Sequence, residues 1–177
     1  MQYVHSYPSP LGGILLAADD CGLTGLWFEG QKYFAYGLTT AHEEKALPVF
    51  ADADRWLDAY FSGQAPEFMP PIHLIGTDFQ LAVWALLQQI PYGQTMTYGA
   101  IAAKLAAQKG LPSMSAQAVG SAVGKNPVSI LVPCHRVVGT SGSLTGYAGG
   151  IDRKIKLLTL EKADMHRLFT PKKGTAL

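Results

Sequence analysis

Three prolines, Pro66, Pro70 and Pro71, interrupt the chain between residues 65 and 75. Proline fixes φ and lacks a backbone N–H, so this stretch cannot be the interior of a helix or a central strand. We expect an extended connection here and place a domain boundary at its end. The expected parts are an N-terminal domain over residues 1–74, a C-terminal domain over 75–165, and a loose tail over 166–177.

The pattern before this boundary predicts strands followed by one helix. Turn signals at Ser9–Gly13 and Asp19–Gly22 flank the apolar run Ile14–Ala18, and Leu23–Phe28 has the pattern of a returning strand. Aromatic and apolar residues then recur at helical spacing over Pro48–Phe61, and a Ser-Gly pair follows. The N-terminal domain is therefore expected to be a small sheet with one helix.

Helices dominate the pattern beyond the boundary. Thr77 and Gln80 fit a capping box at the start of a helix that ends at Pro91. Thr97 is placed to cap a second helix, which we expect to run to about Ala107.

A loop over residues 108–114 leads to Ser115, the expected cap of a third helix over Ala116–Val123, with Gly124 at its C-cap. A final helix is predicted over Ile151–Glu161. The second and third helices suggest a helix-turn-helix unit, although two simply packed helices fit the pattern equally well. The sequence thus predicts an α+β fold with a mainly helical C-terminal domain.

Composition limits the partners and the compartment. The formal net charge is +1 and only 15% of residues are charged, which argues against affinity based mainly on broad phosphate neutralisation but leaves room for a local basic face. The first residues resemble no secretory signal, and no apolar run is long enough for a membrane span. With only two cysteines, Cys21 and Cys134, we expect a cytoplasmic protein with free thiols and no membrane association.

The strongest chemical signal lies in residues 126–139. Apolar β-type residues lead into Pro133, and Cys134, His135 and Arg136 follow. We expect a strand that ends at this point, with the Cys134 sulfur facing a cleft. Neighbouring positive charge favours the thiolate, which is the nucleophilic form of cysteine. From composition alone, an inert buried cysteine is the more common alternative.

The loop after this cluster, residues 139–150, is rich in glycine and hydroxyl side chains. Such a loop can close over a flat ligand, with Tyr147 as an aromatic wall. Glu161 ends the next helix and is available to orient a histidine.

The run Pro133-Cys134-His135-Arg136-Val137 resembles the signature of the O6-alkylguanine-DNA alkyltransferases, also called methylated-DNA–protein-cysteine methyltransferases. The resemblance covers about half the chain, and the N-terminal half resembles the family's first domain more loosely. The other matching positions are Gly93-Gln94, Thr97-Tyr98-Gly99, Ala118-Val119-Gly120, Asn126-Pro127, Gly146-Tyr147-Ala148-Gly149-Gly150, Lys154, Leu157-Leu158 and Glu161.

The resemblance implies a ribonuclease H-like first domain and a winged-helix-like second domain. It also implies direct-reversal DNA repair, in which a methyl or other alkyl group moves irreversibly from O6-alkylguanine to the protein, once per molecule. O4-alkylthymine is a further candidate substrate. The implied partner is double-stranded DNA, bound through its minor groove with the guanine flipped out, by a monomer that needs no cofactor. Such a protein would associate with the nucleoid when bound to DNA.

The resemblance also implies roles for individual residues. Cys134 would accept the alkyl group, His135 would take the thiol proton through a water, and Glu161 would orient the imidazole. Asn126 would brace the active-site turn by hydrogen bonds to backbone.

Four positions would bind the flipped base by the same resemblance. The Tyr98 hydroxyl would bond a ring nitrogen and help to neutralise the leaving purine. The backbone carbonyls of Cys134 and Val137 would accept from the exocyclic amine. The Ala148 N–H would face O6, and Tyr147 would wall the alkyl side.

Small residues on the third helix would let its backbone approach the DNA closely; they are Ala118, Gly120, Ser121 and Ala122. Lys125 is either a phosphate contact or a solvated lysine, and Arg136 is expected to contact DNA. Gln117 stands where the family usually has an arginine that fills the space of the flipped base. Because Gln is shorter and uncharged, we expect slower repair of duplex DNA with less loss on single strands.

Three alternatives stay open at this stage. The first is an alkylguanine sensor that repairs poorly or not at all, which Gln117 favours and Cys134 opposes. The second is a cysteine hydrolase that uses Cys134 with His135. The third, a redox switch between Cys21 and Cys134, has no supporting motif.

A metal site is not expected. Some members of the family carry a structural zinc in the N-terminal domain, and Cys21, His5, His42 and His73 are the candidate ligands here. Their spacing does not fit a zinc motif. We therefore expect Cys21 to be a turn residue and the histidines to lie at the surface.

Overall fold

The computed structural model describes residues 1–172. Residues 173–177, which belong to the predicted tail, lie outside the described residues. The predicted α+β class is confirmed. Within residues 1–172, the chain forms two compact units, one of residues 1–75 with 127–131 and the other of residues 76–126 with the described residues from Val132 onward. Within residues 1–172, we find no helix with the length and hydropathy that a membrane crossing requires.

The first unit contains a four-stranded sheet with the order β3-β2-β1-β4. Its strands are β1 (Gln2–Ser9), β2 (Gly12–Asp19), β3 (Gly22–Phe28) and β4 (His42–Glu44), followed by the helix α1 (Pro48–Phe61). The first three strands pair antiparallel, and β4 pairs parallel to β1. Every residue of β3 is buried, so this strand lies at the core of the unit. The exposed strand β4 has no apolar alternation and was not predicted.

Residues 127–131 belong to the first unit although they follow the second unit's helices. The backbone of Leu26 in β3 donates to Pro127 O (2.8 Å) and accepts from Ser129 N (3.1 Å). The predicted strand before Pro133 is wrong, because Ile130 has a left-handed φ of 70° and the Leu131 N–H turns back to the Ser129 carbonyl. This segment is therefore a buried turn rather than an extended strand.

The second unit is built mainly from helices. They are α2 (Asp78–Leu87), α3 (Tyr98–Gln108), α4 (Ala116–Gly124) and α5 (Ile151–Leu160), with a short parallel pair of strands, β5 (Met96–Thr97) and β6 (Val137–Val138). The predicted capping box is confirmed: the Gln80 N–H donates to Thr77 Oγ1, and the Gln80 side chain accepts from the Thr77 N–H.

The helices α3 and α4 are joined by a loop and capped as the sequence predicts. Thr97 accepts from the Ala100 N–H, and Ser115 accepts from the Ala118 N–H. The Trp84 indole of α2 donates to the Ala122 carbonyl (2.9 Å) and so holds α4 in place. The predicted C-cap at Gly124 is wrong by one residue, because Gly124 completes α4 and Lys125 is the C-cap.

Part of the predicted loose tail is ordered by backbone hydrogen bonds. Residues 165–167 form a short 3-10 turn. The Leu144 N–H donates to Phe169 O (2.8 Å), and the Phe169 N–H donates to Gly142 O (3.1 Å). These bonds tie the chain up to residue 169 to the loop that follows β6, so the tail is not loose over 166–169.

Candidate active site

Cys134 begins a 3-10 turn, Cys134–Arg136, directly before β6. Cys134 is only 4% exposed. The buried Asn126 side-chain amide donates to the Cys134 sulfur (3.1 Å) and to the Val132 carbonyl (2.8 Å). One side chain therefore both braces the turn and places a hydrogen-bond donor on the sulfur, where it stabilises a thiolate.

His135 and Glu161 form a buried pair beside this turn. The His135 Nε2 atom lies 2.6 Å from Glu161 Oε1, and both side chains are inaccessible to solvent. Burial lowers the pKa of His135 below its ordinary value, the Glu161 charge opposes this, and the charges of Arg136 and Lys154 add to the lowering. Burial alone would raise the pKa of Glu161, but hydrogen bonds and charges from His135 and Arg136 hold it far below its usual range. The resting pair is thus a neutral imidazole on a carboxylate.

Arg136 does not lie where a DNA contact was expected. It is 9% exposed, and its guanidinium donates from Nε and Nη2 to Glu161 (both 2.9 Å) and from Nη1 to the Ile90 carbonyl (2.7 Å). The expectation that Arg136 contacts DNA is therefore wrong, because its donor atoms are engaged inside the protein. The guanidinium also lies over the Tyr92 ring, 5.7 Å from its centroid.

Lys154 of α5 is a buried cation that the sequence analysis did not assign. Its ammonium donates to the carbonyls of Val137 (2.5 Å) and Thr145 (2.8 Å), and the residue is fully buried. Burial lowers its pKa to about 8, against the opposing charge of Cys134. The sequence did contain one signal for the burial of Lys154: it lies three residues after Ile151, on the face of α5 that carries the apolar residues.

Tyr98 begins α3 and reaches the loop after β6. Its hydroxyl donates to the carbonyls of Thr145 (3.2 Å) and Gly146 (3.0 Å). Burial raises the pKa of this phenol, and the charge of Cys134 raises it further, so the hydroxyl keeps its proton. Tyr98 and Lys154 thus hold the same carbonyl, that of Thr145.

The predicted wall residue Tyr147 is buried, whereas Ala148 is partly exposed. A Cβ on Gly149 would lie 2.6 Å from the Tyr147 ring, so glycine is needed for the ring to fold against the backbone there. The structure therefore brings Tyr98 and the loop with Tyr147 and Ala148 to the same side of the unit.

A cavity of about 330 Å³ opens next to Tyr98. Its volume suits a small aromatic ligand. Neither Cys134 nor His135 contributes to its wall. The lining residues are Tyr98, Gly99, Ala116, Gln117, Gly120, Gly139, Thr140 and Thr145.

The helix α4 presents small residues to solvent. Gln117, Ala118 and Ser121 are exposed, and Lys125 is partly exposed at the C-cap. Gly120 is buried, and a Cβ there would meet the Tyr98 ring at 3.8 Å. Gly120 therefore faces Tyr98 and lines the cavity, and the expectation that it lets α4 approach DNA closely stays a prediction.

The four candidate zinc ligands belong to the first unit but do not form one cluster. His5 pairs with Asp54 and His42 bonds the Thr39 carbonyl. Cys21 and His73, however, lie together with Asp19, with candidate ligand atoms within 4.8 Å of one another. 

Hydrogen bonds account for this grouping. Asp19 accepts from the backbone N–H groups of Cys21 and Gly22, and its other oxygen lies 2.7 Å from His73 Nδ1. It is the carboxylate cap of a turn, and its second oxygen is in hydrogen-bond contact with a histidine. The contact joins residues 54 positions apart, so no local pattern in the sequence indicates Asp19.

Comparison with known proteins assigns both halves of the chain to one class, the proteins that act on alkylated guanine. The family model described as 6-O-methylguanine DNA methyltransferase, ribonuclease-like domain, matches residues 2–74. The model described as the DNA binding domain of the same methyltransferase matches residues 78–163.

Two relatives and two solved structures extend this similarity. The methylated-DNA–protein-cysteine methyltransferase of Mycobacterium leprae is 45% identical over 96% of both chains, and that of Methanosarcina acetivorans is 44% identical over 90% of this chain and 97% of its own. The crystal structure of Mycobacterium tuberculosis O6-methylguanine methyltransferase has a TM-score of 0.76 at 44% identity, covering 98% of this chain and 97% of that one. A second structure, Mycobacterium tuberculosis OGT in complex with DNA, has a TM-score of 0.77 at 45% identity over 90% of this chain and 92% of that one. The chain belongs to the methylated-DNA–protein-cysteine methyltransferase family.

Proposed function

We propose that this protein repairs alkylated DNA by moving a methyl or other alkyl group from the O6 atom of guanine to Cys134, once per molecule. The observation that carries this proposal is the Cys134 sulfur held by the Asn126 amide next to the buried His135–Glu161 pair. These groups lie in the unit that matches the family's DNA binding domain. A nucleophile, a base and a group that orients the base are the requirements for an activated thiol.

The chemistry balances without a cofactor. His135 takes the Cys134 proton through a water, and the thiolate attacks the alkyl carbon. The S–C bond forms as the C–O6 bond breaks, and the electron pair remains on the purine. The Tyr98 hydroxyl would turn from the Thr145 and Gly146 carbonyls to donate to a ring nitrogen of that purine and help to neutralise its charge. Because the product is a thioether, which water does not displace, the protein stops after one event.

We propose that the flipped guanine binds between Tyr98 and the loop after β6. The Val137 carbonyl, which also accepts from Lys154, and the Cys134 carbonyl would accept from the exocyclic amine. The Ala148 N–H would face O6, and the Tyr147 ring would lie beside the alkyl group.

For the DNA itself we propose minor-groove binding by a monomer through α4. The exposed small residues Ala118 and Ser121 allow close approach of the helix, and Lys125 at its end is a phosphate contact. The substrate base must leave the stack to reach the thiol. A thiol that has to stay reduced suits a cytoplasmic location.

The test is peptide mass mapping after incubation with an oligonucleotide that contains O6-methylguanine. We expect the Cys134 peptide to gain the net mass of one CH₂ group. Cys21→Ser should gain the same mass, since Cys21 is an exposed thiol in the other unit. Cys134→Ser should show no gain and leave the lesion in the DNA.

The same experiment separates the alternatives. A sensor binds the methylated oligonucleotide but leaves the Cys134 peptide unmodified. A hydrolase releases product repeatedly and returns an unmodified thiol. Either outcome contradicts the proposed function.

A further inference from the structure

Arg136 is a charged residue with an interior position in a unit that binds DNA in the proposed function. Its guanidinium contacts the Glu161 carboxylate with two nitrogens and the Ile90 carbonyl with the third. The bidentate contact fixes the plane of the carboxylate, and the Ile90 contact anchors the guanidinium to the chain after α2. Arg136 itself does not reach the Cys134 sulfur in any contact of the described residues.

Glu161 is surrounded by donors. Oε1 accepts from His135 and from Arg136 Nη2, and Oε2 accepts from Arg136 Nε and the Gly93 N–H. A protonated carboxyl group would have to give up one of these acceptor positions. The arrangement therefore selects the carboxylate anion.

An anionic Glu161 determines the tautomer of His135. A carboxylate only accepts hydrogen bonds, so the His135 Nε2 atom, 2.6 Å away, must carry the hydrogen. A neutral imidazole has one N–H, so its Nδ1 atom is then the basic nitrogen.

We propose that Arg136 is a positioning residue for alkyl transfer: it clamps Glu161 as an anion, so that His135 keeps Nδ1 as the base that receives the Cys134 proton. This inference rests on the proposed function. Arg136 acts through Glu161 and, among the described residues, makes no hydrogen bond to the Cys134 thiol or to the His135 ring.

Together with burial and the charge of Lys154, the charge of Arg136 also influences the pH range of the reaction. The active pair, carboxylate with neutral imidazole, has a charge of minus one, and taking up a proton makes it neutral. A neighbouring cation favours the anionic state, whichever of the two side chains would take the proton. Loss of Arg136 therefore makes the pair easier to protonate, and the base is lost at a higher pH.

The test measures the single-turnover rate of methyl transfer from an O6-methylguanine oligonucleotide between about pH 5 and pH 9. For Arg136→Gln we expect the acid limb of the profile to move up by about one pH unit or more, which is about a tenfold loss of rate on that limb. Arg136→Lys keeps the charge but loses the bidentate contact with Glu161. We therefore expect the acid limb at the same pH as in the wild-type protein and a lower plateau rate.

Three controls accompany the measurement of rate against pH. Arg55→Gln removes an exposed arginine that pairs with Asp52 in the first unit, and its profile should be that of the wild-type protein. In a Glu161→Gln background the carboxylate is already absent, so Arg136→Gln should move the acid limb less than it does in the wild-type background. Thermal melts establish which variants are folded, and if Arg136→Gln does not fold, Arg136→Lys and Glu161→Gln still test the clamp.

Nitrogen-15 NMR of His135 in the DNA-free protein gives a readout that does not depend on transfer. We expect the hydrogen on Nε2 in the wild-type protein and an imidazole that protonates at higher pH in Arg136→Gln. A uniform loss of rate at every pH, with the imidazole titration unchanged, would overturn the role of Arg136. If instead the NMR result holds but wild-type Cys134 gains no methyl group, the proposed function fails, while the effect of Arg136 on the Glu161–His135 pair is still supported.

Discussion

Replacing Asn126 with alanine should weaken both the fold and the reaction, because one amide makes two buried contacts. The contact with the Val132 carbonyl is 2.8 Å and that with the Cys134 sulfur is 3.1 Å. Leaving the buried carbonyl without its donor costs about 1–3 kcal/mol of unfolding free energy. A hydrogen bond to a charged group contributes about 1.5–3 kcal/mol, so its loss from the thiolate should slow transfer by about 10- to 100-fold.

Two assays separate these effects for Asn126→Ala. Urea unfolding followed by circular dichroism gives the stability, and single-turnover transfer to Cys134 at a temperature where the variant stays folded gives the rate. Gln64→Ala serves as the control, because this exposed amide lies just beyond α1 in the first unit. A folded Asn126→Ala protein that transfers at the wild-type rate would refute the claim that the amide stabilises the thiolate.

Two further predictions concern Gln117 and Lys154. Gln117→Arg should speed the repair of duplex DNA more than that of single strands, since a longer cation fills the space of the flipped base; equal rates on duplex DNA before and after the change would contradict this. Burial lowers the pKa of Lys154 from 10.5 to about 8, so between these values the unfolded chain holds a proton that the folded chain lacks. The unfolding free energy of the wild-type protein should therefore rise with pH over this window, relative to Lys154→Met, by up to about 1.4 kcal/mol per pH unit. If urea titrations show a constant difference in unfolding free energy between the two proteins from pH 8 to pH 10.5, folding does not lower the pKa of Lys154.

Local signals in the sequence were sufficient for most helix boundaries. The bounds of α1 were predicted as the structure has them, and the caps at Thr77, Thr97 and Ser115 form the expected hydrogen bonds. These features depend on residues within one helical turn, where side-chain chemistry and backbone geometry are directly linked.

The segment before Cys134 shows where local signals fail. Its β-type residues predict a strand, but hydrogen bonds to Leu26, about a hundred positions earlier, decide its backbone path. Burial of apolar side chains is common to strands and to buried turns, so composition does not distinguish them. The left-handed φ of Ile130 has no signal in the residue type.

The charged residues of the site show a second limit. Arginine is usually exposed, but Arg136 is buried against Glu161, which lies 25 positions away in sequence. Lys154 likewise becomes buried through the Val137 and Thr145 carbonyls, which no spacing rule connects to it. Buried ion pairs of this kind are defined by the tertiary fold and become visible only when the helices are placed.

The proposed reaction consumes Cys134, and a stoichiometric titration with labelled substrate measures this consumption. A fixed amount of protein is mixed with increasing O6-methylguanine oligonucleotide that carries a radiolabelled methyl group, and protein-bound label is counted. We predict that the label reaches a plateau at one methyl group per protein molecule and that none binds to Cys134→Ser. Lesions that continue to disappear beyond this plateau, or label bound by the serine variant, would contradict the account.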